Sequence, residues 1–317
     1  MDLSVVIPFV REWPQVTFTI RAIHEELKDI EHEIIAVDNL MHNMDEDRGS
    51  NMVKGMANCW TAAGDPWLKY FRKDDKLSHW QCKNFAVEKA SADIIWFVDS
   101  HCIPGRDSGS SMFRFYEEHW QELDGSIHLP LTYHILEPRQ LIYKAVVNSS
   151  IGDYAYSFNT YRPNTWEQVQ EVPAMSTCGM MIHKNYLKQL GGWPKELGIY
   201  SGGEHFLNYC QAILGMKKYI WKAEPLCHHG DKRGYSWNYY DQRRNRGIAS
   251  YLIGGEKLLR QWIKCCAKLS PNESARVINN IMLTCREHRD HILSQQLMTI
   301  EEWLDKWKGH ELLKGTW

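Results

Sequence analysis

Residues 94–102 read Ile-Ile-Trp-Phe-Val-Asp-Ser-His-Cys: five apolar side chains run straight into an acid, a hydroxyl and an imidazole. A short unbroken apolar run predicts a strand buried on both faces, the kind found at the centre of a parallel sheet. Open α/β sheets bind ligands just beyond the carboxyl ends of such strands. Asp99 and His101, two apart on an extended segment, share one side of the chain and reach that crevice together. A carboxylate oxygen and an imidazole nitrogen are both competent ligands for a divalent ion such as Mn²⁺ or Mg²⁺. An ion held there would neutralise a diphosphate. Taken alone, the pair also fits a bland reading, in which Asp99 caps a turn and His101 makes one buried hydrogen bond. The surrounding chain separates the two.

The residues before and after this run alternate between strand and helix patterns. Strands are predicted over 3–9, 33–39, 67–71, 176–183 and 217–222, and helices over 16–27, 79–90, 112–123, 185–190 and 204–214. The polar stretch 40–64 reads as a long irregular connection, and 125–171 as mixed and loop-rich. Strands alternating with helices imply βαβ units and a parallel sheet. From about residue 239 strands cease. Helices are predicted over 239–253, 256–267, 272–294 and 300–308, with start signals at Ser270-Pro271-Asn272-Glu273 and a capping box at Thr299-Ile300-Glu301-Glu302. The fold class expected is α/β, a Rossmann-like, mostly parallel sheet flanked by helices with a helical C-terminal appendage. The expected division is a catalytic unit over 1–238 and a helical region over 239–317.

Composition narrows the class. The chain has 317 residues, is 44% hydrophobic and carries a formal net charge of −2, so the whole molecule is not a polycation. Its nine cysteines include no Cys-x-x-Cys pair, which reads as reduced thiols and a cytoplasmic location. No run of 18 apolar residues exists, so no membrane span is expected, and the start, Met1-Asp2-Leu3-Ser4, lacks a signal-type pattern.

Four features line up along the βαβαβ series. Pro8 and Arg11 fall at the carboxyl edge of the first strand. Asp38 ends the second, where a carboxylate can accept from a nucleobase imide or a ribose. Lys83 lies on the helix ahead of strand 94 and can reach a diphosphate. Asp99-Ser100-His101 follows that strand. Residues 3–235 resemble the nucleotide-sugar glycosyltransferases of the GT-A fold, family 2 and its relatives. The resemblance rests on Val5-Val6-Ile7-Pro8-Phe9, Ile34-Ile35-Ala36-Val37-Asp38-Asn39 and Lys83-Asn84-x-x-Val87-x-x-Ala90. In place of that family's usual Asp-x-Asp, the chain carries Asp99-Ser100-His101-Cys102. This form, with Gly202-Gly203-Glu204, is similar to the polypeptide N-acetylgalactosaminyltransferases. Those enzymes complete the metal site with a later histidine. Here His228 and His229 follow a predicted strand and offer two candidates.

The resemblance implies a metal-dependent transfer of sugar from a nucleotide-sugar donor, UDP favoured, to an acceptor hydroxyl. Asp99, His101 and His228 or His229 would hold Mn²⁺ or Mg²⁺, with Ser100 at the donor. Lys83, or an arginine of Arg243-Arg244-x-Arg246, would add positive charge at the diphosphate. Glu204 would bind donor-sugar hydroxyls or act as base on the acceptor. Gly202 and Gly203 would let backbone approach the ligand, and Cys178 and Gly179 would offer backbone groups to the sugar.

The acceptor is less constrained. Between 232 and 268 stand nine Lys or Arg (Lys232, Arg233, Arg243, Arg244, Arg246, Lys257, Arg260, Lys264, Lys268) against Asp241 and Glu256. That segment suits an anionic acceptor, either nucleic acid or a phosphate-bearing glycan or lipid. One alternative acceptor is a hydroxymethylated DNA base, which would have to be flipped out of its stack. Cell-surface glycan precursors are the commoner acceptors of the broad family. Two other classes compete. A nucleotidyltransferase would carry a Gly-rich basic loop where Pro8-Phe9-Val10-Arg11 stands, and a non-catalytic sugar-binding protein would have no need of the acid and histidine set.

Overall fold

The computed structural model describes residues 1–45, 47–133, 144–148, 153–157, 167–229, 235–265 and 269–307. In chain order the elements are β1 (Leu3–Phe9), α1 (Gln15–Glu26), β2 (His32–Asp38), α2 (Arg48–Ala62), β3 (Leu68–Arg72), α3 (His79–Lys89), β4 (Ile94–Phe97), β5 (Cys102–Ile103), α4 (Ser108–Leu123), β6 (Gly125–His128) and β7 (Leu131–Thr132). They continue as β8 (Lys144–Asn148), β9 (Asp153–Ser157), β10 (Val169–Glu171), β11 (Met180–His183), α5 (Lys184–Gln189), α6 (Gly203–Ile213), β12 (Lys217–Trp221), β13 (Leu226–His228), α7 (Tyr239–Lys264), α8 (Pro271–Thr284), α9 (Arg286–Leu293) and α10 (Ile300–Trp307).

Eight strands form the main sheet in the order β10-β12-β6-β11-β4-β1-β2-β3. β3, β2, β1 and β4 run parallel, β11 is antiparallel to both its neighbours, and β12 is parallel to β6. Every residue of β1, β2 and β4 is buried, as expected of strands covered on both faces. Alternation along β1 splits the core. Val5 and Ile7 pack on the face covered by α1, α2 and α4, with Ile20, Val53 and Phe113. Val6 packs on the other, with Phe97, Phe206, Leu252, Trp262, Ile281 and Trp303. The C-terminal helices thus share one hydrophobic cluster with the sheet.

Most predicted elements lie at these positions, but the strand expected over 176–183 spans only Met180–His183, β5 and β13 fall outside the predicted strands, and two helical stretches differ. The stretch read as an irregular connection holds α2. Its buried face is Gly49, Ser50, Val53 and Ala57, one valine among residues too small or polar to register as an apolar stripe, and Asp47 caps it by accepting from the Gly49 N–H at 2.9 Å. The single helix expected over 272–294 is two helices, α8 and α9, meeting at Cys285. The break expected between 253 and 256 exists as Gly255, at φ 66°, a left-handed conformation that glycine adopts without penalty. Both start signals are realised: the Ser270 hydroxyl and Glu273 carboxylate form a reciprocal box, as do Thr299 and Glu302. Among the described residues no helix is long and apolar enough to cross a membrane.

Beneath β1 lies a buried polar knot. Glu33 pairs with Lys69, accepts from Ser4 Oγ at 2.6 Å and takes the Ser91 N–H at 2.5 Å. Burial works against the Glu33 carboxylate, but Lys69 and these donors outweigh it and hold the group below its ordinary 4.5. A depressed carboxyl stabilises the fold above the unfolded value, and the contribution disappears as pH falls through the folded value. Glu33→Gln is therefore expected to cost about 1–3 kcal/mol at neutral pH. In urea unfolding, the gap from wild type should close as pH drops below 4.5.

Candidate active site

The carboxyl ends of β1 and β4 open on a cavity of about 260 Å³, lined among others by Pro8, Glu12, Asn39, Lys83, Asp99, Ser100, His101, Ser176, Thr177, Gly202, Glu204, His228 and Arg246. Asp99 lies two residues past Phe97, the last residue of β4. His101 precedes β5, which pairs antiparallel with β13 so that His228 lies opposite Cys102. The His229 N–H donates to the His101 carbonyl at 2.8 Å. That pairing carries His228 to the Asp-x-His segment. Its Nε2 is 3.1 Å from His101 Nε2 and 3.3 Å from Asp99 Oδ2. One donor atom from each of the three residues lies within 4.8 Å of the others. His229 faces away, with Nε2 3.3 Å from Cys227 Sγ, since successive side chains alternate along an extended chain. Of the two candidates, His228 joins the cluster and His229 does not.

Two neighbours tune this cluster. Glu12 Oε1 is 3.3 Å from His101 Nδ1, so an Nδ1–H donated there turns the Nε2 lone pair toward Asp99 and His228. A carboxylate behind a histidine is the usual outer support of a metal-binding imidazole. Lys83, 1% exposed, places Nζ 3.8 Å from Asp99 Oδ1 and 3.1 Å from Thr177 Oγ1. Burial pushes the Asp99 carboxyl up, but the Lys83 ammonium and His228 more than offset it and keep Asp99 ionised, well below the usual carboxylate range.

Glu204 opens α6 on the opposite wall. Its Oε1 accepts from Ser176 Oγ at 2.9 Å and from the Thr177 N–H at 3.3 Å. Burial raises its carboxyl despite those donors and Lys83. The preceding glycines answer to protein and not to ligand. A Cβ on Gly202 (φ 82°) would sit 2.4 Å from the Asn245 carbonyl oxygen, and one on Gly203 would sit 2.3 Å from the Trp80 ring. Gly202 still lines the cavity and Gly203 does not. Asn245 ties this loop to α7, accepting from the Gly198 N–H at 3.0 Å and donating to the Tyr200 carbonyl at 2.8 Å.

Four other expected residues stand outside the cavity. Arg11 is exposed: the chain turns there at φ 53°, and Glu12 takes the inward place. Asp38 is fully buried, its two oxygens accepting from the Leu40 N–H and the Tyr70 hydroxyl at 2.9 and 2.8 Å, while Asn39 lines the cavity. Cys178 and Gly179 are set back behind Ser176 and Thr177. The Cys178 N–H donates to Ser176 Oγ, and the Gly179 N–H donates to the Phe97 carbonyl, so these backbone groups serve the protein itself.

The basic segment separates into distinct parts. Lys232, Arg233 and Lys268 lie outside the described residues. Arg244 donates to the Glu196 carbonyl, and Arg243 stacks over Trp262 and Tyr239. Arg246 lines the cavity and holds Ser201 Oγ through Nε at 2.9 Å. Lys257, Arg260 and Lys264 are exposed, Arg260 paired with Glu256. Trp237, 43% exposed, stacks at 4.3 Å on Tyr200, a cavity residue.

Solved structures share this architecture. A crystal structure of GalNAc-T7 with UDP, GalNAc and Mn²⁺ superposes with a TM-score of 0.73 at 13% identity, over 98% of this chain and 58% of that one. The chain thus spans little more than half of GalNAc-T7's length. TarS 1–349 from S. aureus in complex with UDP-GlcNAc gives 0.54 at 12% identity, over 96% of this chain and 92% of that one. At such identities the likeness establishes the fold alone, that of the GT-A glycosyltransferases. No curated protein sequence matches the chain significantly. The sequence profile of glycosyl transferase family 2 matches residues 4–190, which takes in nearly all of the parallel strands β1 to β4, Lys83 and the Asp99-Ser100-His101 segment. That match covers more than half of the chain, and the chain belongs to glycosyl transferase family 2.

Proposed function

We propose that the chain moves a sugar from a UDP-sugar to an acceptor hydroxyl, with Mn²⁺ or Mg²⁺ held by Asp99, His101 and His228. The observation that carries this reading is the convergence of those three side chains at the rim of the sheet, beside a buried lysine. The donor set fits a divalent ion: one carboxylate and two imidazoles leave positions for phosphate and water oxygens. Such sets also suit iron or zinc. The Lys83 cation beside Asp99 favours an anionic ligand, as a donor diphosphate is. The ligands named for the solved structures, UDP with Mn²⁺ in GalNAc-T7 and UDP-GlcNAc in TarS, support the same choice.

When bound, the ion supplies Lewis-acid stabilisation of the departing diphosphate. Lys83 adds a fixed positive charge from a buried position, where it counts for more than in solution. Glu12 holds the His101 tautomer. Pro8, Ser100 and Asn39 form the wall for the nucleotide. Glu204, fixed by Ser176 and Thr177, binds donor-sugar hydroxyls; its raised carboxyl suits it to share a proton with them. Arg246 and the Tyr200–Trp237 stack form the acceptor side, which supports an acceptor role for the region after residue 238. Lys257, Arg260 and Lys264 on its surface favour an anionic acceptor.

A thermal-shift screen of nucleotide sugars tests this reading. A UDP-sugar with Mn²⁺, at about 100 times its Kd, is expected to add about 2.7 kcal/mol of apparent stability. Chelation should remove the shift. The proposal is wrong if no nucleotide sugar shifts the transition with or without metal and none is turned over.

A further inference from the structure

Directly behind Asp99 two thiols face each other. Cys102 on β5 and Cys178 just ahead of β11 are 0% and 1% exposed, with Sγ atoms 3.4 Å apart. The Asp99 N–H points at Cys178 Sγ, 3.5 Å away. One ring nitrogen of His228 lies within 4.8 Å of both sulfurs. Its Nε2 faces Asp99 and His101, while its Nδ1 is buried and has no hydrogen-bond partner. Two sulfurs and an imidazole nitrogen on one small volume are the ligand types of a soft ion. A tetrahedral ion with Zn–S bonds near 2.3 Å holds its sulfurs about 3.8 Å apart, so the two side chains need open only slightly. Soft thiolates favour Zn²⁺ or Cu⁺ over Mn²⁺ or Mg²⁺.

We propose that Cys102, Cys178 and His228 form a second metal site, for a thiophilic ion such as Zn²⁺, which draws His228 away from Asp99 and His101. The two sites share one imidazole, so occupancy of the soft site competes with the hard one. In a reducing environment a zinc-class ion would then inhibit the enzyme from behind its own active site. Only this competition rests on the glycosyl-transfer reading; the soft site itself does not.

Cadmium is a spectroscopically visible stand-in. The reduced full-length chain, loaded with Mn²⁺, is titrated with Cd²⁺ while the ultraviolet cadmium–thiolate charge-transfer band and the free Mn²⁺ electron paramagnetic resonance signal are followed. The expected result is a band that saturates at one Cd²⁺ per chain and release of Mn²⁺ in step with it. The band should be lost in Cys178→Ser with the circular dichroism unchanged. A band that survives in that variant places the ion on other thiols, such as Cys59 or Cys265, and overturns the proposal. Should Cys178→Ser fail to fold, cadmium-113 resonance on the wild type counts the bound sulfurs directly. Two sulfurs with Mn²⁺ released supports the site; fewer than two, or two with Mn²⁺ retained, refutes it. If the chain binds no Mn²⁺ at all, the competition and the Mn²⁺ assignment at Asp99, His101 and His228 fail, while the band and the sulfur count still decide on the soft site.

Discussion

Replacing His228 with alanine is expected to lower kcat/KM for the donor by about 100- to 1,000-fold, the effect of several kcal/mol of lost charge stabilisation at roughly tenfold per 1.36 kcal/mol. The same change at His229 should leave the constant within about twofold, as for substitutions away from a site. Two adjacent histidines of one type separate so widely because of strand pairing. β13 lies antiparallel to β5, which aims His228 at Asp99 and His101 and turns His229 toward Cys227. Steady-state rates with the donor selected by the binding screen check this. Equal losses at both positions, or a larger loss at His229, would mean that His228 holds no ion.

Lys83→Met should cost about 100- to 1,000-fold in kcat, the usual loss when a preorganised charge-stabilising group is removed. Methionine keeps an unbranched apolar stem, so what disappears is the charge, which lies 5.0 and 5.8 Å from the Trp80 and Phe97 ring centres. The ammonium is also the leading cause of Asp99's depressed carboxyl. Without it that carboxyl rises, and metal-dependent donor binding should weaken at mildly acid pH before it weakens at neutral pH. Lys89, exposed at the end of the same helix, is the control, and Lys89→Met should behave as wild type. A Lys83→Met enzyme with normal kcat would remove the lysine from the diphosphate site.

The sequence alone made the parallel strands and the Asp99–His101 pair legible because both are local patterns: a buried strand reads as an apolar run, and two residues apart means one side of it. The remaining features depend on contacts distant in sequence. The choice of His228 follows from pairing between β5 and β13, which no local spacing encodes. Glu12 lies one residue past the recognised edge, and only the left-handed turn at Arg11 shows that the later side chain faces inward. Gly202-Gly203 suggests backbone approaching a ligand, whereas the groups that crowd these two positions are Asn245 and Trp80. Asp38 ends its strand as expected, yet Tyr70 from β3 engages its carboxylate. Of Arg243, Arg244 and Arg246, the packing of α7 brings Arg246 to the cavity, which sequence spacing does not encode. α2 leaves no apolar stripe in the sequence because its buried face is glycine, serine and alanine around a single valine.

The most direct measurement is the binding of Mn²⁺ itself, followed by electron paramagnetic resonance with and without UDP. The account predicts one Mn²⁺ per chain, bound more tightly when UDP is present, with UDP gaining affinity by the same factor. Both effects should vanish in His101→Ala and His228→Ala. UDP that binds equally well with Mn²⁺ and with chelator, or Mn²⁺ that binds unchanged in both variants, would contradict it.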